Sequence, residues 1–417
     1  MQVRAVLMSY VLTAAFFQGG EKFAIAQPGQ TGEGETYILR NETDSGDAAR
    51  IEVHLELKVR GKQKIDILPM SVVADLVYDE KLLAPGDELG QGRRAIRHYH
   101  KADATIKVGR GGEKPTLRDE RRTIVAQTAD GTAMLFCPTG PLSRSELDLL
   151  HAVGNSLLLD ALLPAEAVAT GGAWIPPKEA IQAMLGLDAL ALCEVEATLV
   201  EIRDDIARID LAGTVHGAAE GVSTEIDLKA RLIYHRKLGR VAAAELAVKE
   251  KKSIGHVAPG IDVVAKLTIA VKPIDDSEPL ADERIERLEL ATTPEGLLLA
   301  EEGPKSGVSF AADRRWYITE DSPKLIVLRM VDRGELVAQC NLSPLPQIAR
   351  DKLDSMQKYQ NDVKHTLGDR FGRVLAAGEW TDEAGQRIYR VVVEGEVEKL
   401  PIEWRYYLIT DRQGRRV

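Results

Sequence analysis

The chain has 417 residues, 44% of them hydrophobic and 28% charged, with a formal net charge of -10. That length holds two or three domains with proper cores. The acidic balance argues against a general nucleic-acid binder, which carries a basic footprint. Three cysteines, Cys137, Cys193 and Cys340, leave at least one thiol unpaired.

Residues 1–26 read as a signal peptide. Arg4 supplies the positive start, Ala5 to Phe17 the apolar core, and Ala24-Ile25-Ala26 the small-x-small cleavage pattern. The apolar run is shorter than the roughly 20 residues of a bilayer span, and no Cys follows the cleavage site to carry a lipid. The expectation is an exported bacterial protein, periplasmic or secreted, with no transmembrane span after cleavage.

Gln27 to Glu35 is a polar leader, and Tyr37 to Arg40 a first strand. In Ala49 to Arg60, Ile51, Val53, Leu55, Leu57 and Val59 alternate with Glu52, His54, Glu56 and Lys58, the period of a half-buried strand. Met70 to Tyr78 continues it, and Pro85, Gly86 and Gly90 mark a loop. The same alternation governs the stretch from Cys193 to Pro273: Val195, Ala197, Leu199, then Ile209, Leu211, then Ile226, Leu228, Ala230, Leu232. The two regions echo one another. Ala49-Arg50-Ile51-Glu52-Val53 resembles Ala207-Arg208-Ile209-Asp210-Leu211, and Ala74-Asp75-Leu76-Val77-Tyr78 resembles Ala230-Arg231-Leu232-Ile233-Tyr234, at nearly equal offsets. This points to a duplicated sheet unit.

Between the repeats, the capping box Ser143-Arg144-Ser145-Glu146 opens a helix predicted over 143–162. Pro176-Pro177 open a second, predicted over 177–191. Trp174, on the turn between them, is expected to pack against the sheet. Residues 274–307 read as an acidic linker followed by short strands. From 308 onward come strands at Trp316 to Ile318 and Leu325 to Val331, a helix from Pro346 to Leu367, and strands over 387–394 and 402–409. Asp411 to Gly414 is a turn signal with only three residues after it, which suggests a truncated domain.

Residues 308–417 resemble a PsbP-type domain, through Phe310, the Trp316-Tyr317-Ile318 strand, the Cys340-Asn341-Leu342-Ser343 strand exit, the long helix and Ile388-Tyr389-Arg390-Val391. The resemblance implies a curved antiparallel sheet flanked by helices, in a family that mostly binds partners or assists assembly. Residues 36–273 resemble uncharacterised exported bacterial β-sheet proteins, through Gly172-x-Trp174 and the strands ending at Ser253-Ile254-Gly255. Similar curved sheets occur in periplasmic lipoprotein carriers, which implies an apolar-ligand groove.

Candidate chemistry is sparse. His98 and His100 flank Tyr99 on one strand face and could share a metal, with His54 or His151 as third ligand. The cations Arg93, Arg94, Arg97 and Lys101 around them oppose it, and solvated histidines are the simpler reading. The basic run 93–101 with Arg118, Arg121 and Arg122 offers an anion patch, interrupted by Asp103, Asp119 and Glu120. Gly109-Arg110-Gly111-Gly112-Glu113-Lys114 lacks the spacing of a phosphate loop and reads as a hairpin tip. Cys137 and Cys193 are candidates for a disulfide, with buried free thiols as the other reading. No nucleophile elbow or His-Glu-x-x-His motif occurs.

The chain is therefore expected to be an α+β protein of five segments. These are a signal peptide (1–26), a first β-rich repeat with a helix (27–164), a second repeat (165–273), a linker (274–307) and a PsbP-like domain (308–417). The expected role is non-enzymatic and cofactor-free: binding a partner protein or an apolar ligand in the cell envelope, on the concave face of a curved sheet. The alternatives are a metal-dependent or carboxylate-based hydrolase using His98 and His100, and a structural or assembly protein.

Overall fold

The computed structural model of the protein describes residues 35–61, 69–84, 92–129, 132–151, 155–219, 222–254, 260–332, 335–349 and 354–417. The expected signal peptide lies outside them. The described residues form two compact units: those from 35 to 301 with 309–319 and 329–339, and those of 302–308 with 320–328 and 340–417.

The first unit is built on one 12-stranded antiparallel sheet. After the short β1 (Thr36–Tyr37), a first meander comprises β2 (Ala48–Gly61), β3 (Pro69–Leu83), β4 (Arg94–Val108), the tip strand β5 (Gly111–Glu113), β6 (Thr123–Ala129) and β7 (Thr132–Phe136). The short β8 (Val168–Ala169) pairs with β1, and β9 (Ala173–Trp174) joins the edge of the second meander. That meander comprises β10 (Ala189–Arg203), β11 (Ile206–Ala219), β12 (Val222–His235), β13 (Arg240–Lys252) and β14 (Ile261–Ile274). The order is β7-β6-β4-β3-β2-β14-β13-β12-β11-β10-β9, so β2 and β14 join the two meanders side by side.

Alternation is the local cause. In β2, Ile51, Val53, Leu55, Leu57 and Val59 are all buried, at most 6% exposed, and the intervening residues face outward. The nine apolar residues predicted to be inward-facing in β10, β11 and β12 are buried too. The echoed stretches occupy matching hairpins, β2–β3 and β11–β12. Their registers differ by one two-residue step: Ile51 faces Tyr78, whereas Ile209 faces Leu232, the counterpart of Leu76.

Helix α1 (Arg144–Leu150) starts at the predicted capping box, with both reciprocal hydrogen bonds present. Helix α2 (Ser156–Leu159) follows, then α3 (Lys178–Leu185). These are shorter than predicted. The 143–162 pattern is broken because His151 leaves the helical region and Asn155 starts a new helix, its Oδ1 accepting from Leu157 N. The 177–191 helix ends at Leu185 because Gly186 adopts φ +63, a left-handed cap that a side chain disfavours. Residues from Ala189 belong to β10. The fold is thus mainly β rather than α+β.

Helix α3 packs on both β7 and β10, strands near opposite edges of the sheet. In a flat sheet the nine spacings between them, each about 4.8 Å, would hold those strands roughly 43 Å apart. A helix of 8 residues is only about 12 Å long. The sheet must therefore curl around its helices. Its concave side and Leu147, Leu150, Leu157, Leu159, Ile181 and Met184 form one continuous apolar core.

The convex side is partly covered as well. Residues 274–301, expected as a linker and short strands, include helix α4 (Asp282–Ile285), and Leu280 and Ile285 pack on Ile96 of β4. Ser277 Oγ donates to Asp79 Oδ2 at 2.8 Å and holds this segment to β3. Arg50 Nε lies 2.8 Å and His100 Nε2 2.9 Å from the same carboxylate, which is 1% exposed. Burial opposes the Asp79 charge, and the hydrogen bonds from Arg50, His100 and Ser277 outweigh it, so its pKa falls to about 2.

Further along lie a two-stranded sheet, β15 (Leu299–Glu302) with β16 (Ser309–Ala312), and a three-stranded one, β17 (Trp316–Ser322), β18 (Leu325–Asp332) and β19 (Glu335–Leu342). In the second unit, helix α5 (Met356–Leu367) lies on an antiparallel sheet of β20 (Phe371–Thr381), β21 (Arg387–Val397) and β22 (Leu400–Thr410). Val363 and Leu367 pack there against Val391 and Val393. The helix starts at Ser355, whose side chain accepts from Lys358 N, later than the predicted Pro346. A three-stranded sheet and one helix carry no further mark of a PsbP-type domain.

Two outcomes follow for stability. Leu159→Ala, at a position 0% exposed, should cost about 2–5 kcal/mol in urea unfolding. Asp79→Asn should cost about 1–3 kcal/mol at neutral pH. Because the folded Asp79 carboxyl titrates below its unfolded value of about 3.9, its stabilisation is full above that pH and is lost as pH falls toward 2. Melting temperatures of wild type and variant should converge across that window. A constant gap down to pH 2 would show that the Asp79 charge is not what stabilises the pin.

Candidate functional site

His98 and His100 are brought together, with ring centroids 5.3 Å apart in an edge-on arrangement. Alternation about the inward Tyr99 turns both to the convex side, and a bulge in β4, where Val77 pairs with Lys101 and Tyr78 with Tyr99, leaves His100 without a cross-strand partner. Arg122 Nη1 steadies it by donating to the carbonyls of Tyr99 and His100, at 3.0 and 2.9 Å. His100 bonds Asp79, and His98 Nδ1 lies 3.4 Å from Thr123 Oγ1. Burial first, then the charges of His100 and Arg122, push His98 below its ordinary pKa. The proposed third ligands are placed otherwise. His54 Nδ1 lies 2.7 Å from Asp75 Oδ1 on β3, and His151 caps the C-terminal end of α1. Among the described residues, no group of three or more His, Cys, Asp or Glu side chains is placed to hold a metal ion.

The basic run does not form one patch. Arg93 pairs with Asp160, Arg97 with Glu80 and Lys101 with Asp75. Arg94 donates to the Leu290 carbonyl, Arg118 pairs with Glu146 and Arg122 with Asp119. Arg121 donates to the carbonyls of Thr139 and Pro141. Residues 109–114 form the expected hairpin tip, with Gly109 at φ +55 in its turn. Trp174 packs on the core and its Nε1 donates to Leu162 O at 2.9 Å. The Cys137–Cys193 disulfide is not formed: Cys137, Cys193 and Cys340 are all free thiols. Cys137 is buried just after β7 with its Sγ 3.2 Å from Thr139 Oγ1, and Cys193 lies half-buried on β10. Burial raises the Cys340 thiol above its ordinary pKa, against nucleophilic use.

The polar groups that stand out lie on the concave side, and the sequence reading missed them. The inward set of β3 runs Met70, Val72, Ala74, Leu76 and Tyr78, and the same alternation carries Glu80 into the core. Its cross-strand partner is Arg97. Both are 2% exposed, and Arg97 Nε donates to Glu80 Oε2 at 2.8 Å. Burial disfavours the Arg97 charge, but Tyr78, Glu80 and Tyr99 around it more than offset this and raise its pKa. The Arg97 guanidinium lies over the Tyr78 ring, 4.9 Å from its centroid. The signal was legible in principle, since strict alternation past Tyr78 forces Glu80 inward. A second buried carboxylate, Asp160, ties the segment after α2 to the sheet by accepting from Arg93 Nη1 at 3.1 Å and Val241 N at 2.8 Å.

No helix among the described residues is long and apolar enough to cross a membrane. No family model matches the chain, and no curated protein does. Among solved structures, it is similar to lipovitellin, described by its lipid–protein interactions, at 6% identity and TM-score 0.35. That match covers 55% of this chain, which spans about a quarter (25%) of the lipovitellin chain. It is also similar to DynF from the dynemicin biosynthesis pathway of Micromonospora chersina, at 7% identity and TM-score 0.17, over 66% of this chain and 100% of that one. Likenesses this distant place the chain in no family.

Proposed function

We propose that the protein is an exported, non-enzymatic binder of an apolar ligand, which it holds between the concave face of the large sheet and helices α1 to α3. One observation carries this reading. The concave face presents a continuous aliphatic surface across the strands of both meanders, and what covers it is three separate helical pieces of 7, 4 and 8 residues. Short helices of this kind draw little stability from their own hydrogen bonds and depend on tertiary packing. They contribute leucines to the core without adding strands to the sheet, so the sheet keeps its backbone pairing if they lift. A hydrocarbon ligand would replace their apolar contacts like for like. The N-terminal pattern at Arg4, Ala5 to Phe17 and Ala24 to Ala26 supports export, to the periplasm or the exterior.

The test is native mass spectrometry of the protein purified from an exporting host, before and after organic extraction, with metal analysis alongside. The expected result is an additional lipid-range mass that extraction removes. Stoichiometric zinc or iron, lost on His98→Ala or His100→Ala, would replace this reading with the metal-dependent one.

A further inference from the structure

The interior of the large sheet holds one compact polar seat. Its walls are Glu80, Arg97, Tyr78 and Tyr99, each no more than 2% exposed. Its occupant is a side chain from a helix, Ser156, the first residue of α2. The Ser156 hydroxyl donates to Glu80 Oε2 at 2.7 Å. It accepts from Arg97 Nη2 at 3.1 Å, and its oxygen lies 3.1 Å from Tyr78 OH. A hydroxyl has one donor and two lone pairs, and these three neighbours can use all of them. The Tyr99 ring lies 4.7 Å from that of Tyr78, tilted by 36°, and its buried hydroxyl lies beside the Arg97 guanidinium.

Behind Ser156 the same helix inserts Leu157, Leu158 and Leu159, all buried in the aliphatic core. Helix α2 therefore presents one hydroxyl, beside the Asn155 N-cap amide that also accepts from Arg97 Nη2, at the head of a block of hydrocarbon.

We propose that α2 stands in for the ligand, and that the site takes a long-chain aliphatic alcohol: an apolar body ending in one neutral hydroxyl. This rests on the reading of the concave face as the ligand site. The ligand hydroxyl takes the place of the Ser156 hydroxyl against Glu80, Arg97 and Tyr78, and its chain takes the place of the three leucines. The charge state of the seat selects the head group. Glu80 and Arg97 already neutralise each other, so a carboxylate would bring an unpaired buried charge beside Glu80. A plain hydrocarbon would leave three buried polar groups short of a partner.

The experiment is equilibrium dialysis of the full chain against radiolabelled 1-hexadecanol, hexadecane and hexadecanoate at pH 8, each delivered from cyclodextrin. Hexadecanol should bind at least about tenfold more tightly than the other two, the scale of a site built to hydrogen-bond a hydroxyl. Ser156→Ala removes the hydroxyl from the seat, leaves Asn155 on Arg97 and removes no leucine. Because both ligands displace α2, it should tighten hexadecanol and hexadecane alike, by a factor of about five to ten, and leave the preference between them unchanged. Tyr78→Phe keeps the ring and removes one partner, so it should reduce the preference for hexadecanol over hexadecane. It carries the test if Ser156→Ala does not fold. Equal binding of all three ligands would overturn the hydroxyl seat and leave the apolar-ligand reading standing. Binding of none would overturn both.

Discussion

The pairing of β2 with β14 is the contact on which the large sheet depends. Every other neighbouring pair in its two meanders follows closely in sequence, but this one joins Ile51 to Val271 and Ala48 to Ile274. Without it there are two smaller sheets, each with an open edge strand ready to pair elsewhere. With it there is one sheet long enough to curl around its helices, and the two aliphatic faces merge into one core. The exposed ion pair across the seam, Lys272 Nζ to Glu52 Oε1 at 2.5 Å, adds little in water. The seam is held by its backbone ladder and by the burial of Ile51 and Val271. It spans more than half of the chain, so it closes a large loop before any of that burial is gained.

Much of the sheet was legible in the sequence because a strand repeats every two residues, and one buried face prints that period directly. Ile51 to Val59 and Ile226 to Leu232 needed no other information. The helices were less legible. Their apolar spacing extends past their true ends, and what stops them is local: the left-handed backbone at Gly186 and the second N-cap at Asn155. The curl of the sheet was expected only through the resemblance to curved-sheet carriers, because the residue pattern does not print it: it comes from contacts between strands far apart in sequence. The alternation also put His98 and His100 on one face, and their rings do meet. What surrounds them, a buried Asp79 already shared by Arg50 and Ser277, depends on a segment almost 180 residues downstream.

The protein keeps two acidic groups of opposite orientation side by side. Asp79 points outward and pins the covering segment, whereas Glu80 points inward and meets Arg97. A buried pair of this kind contributes little net stability over hydrocarbon of the same volume, and breaking it is costly because one charge is left alone. What it supplies is position. Asn155 and Ser156 both reach Arg97, so α2 has one rotational setting in which its polar head is satisfied and its leucines face the core.

The two-residue offset between the matching hairpins sets a rule for how this architecture can change. A slip by an even number of residues leaves every inward side chain inward: Leu76 and Leu232, Tyr78 and Tyr234 are all buried despite their different partners. An odd slip would turn a whole strand over and place its charges in the core. Insertions and deletions within these strands are therefore filtered by parity. Chimeras that exchange the β2–β3 and β11–β12 hairpins should be assembled in steps of two.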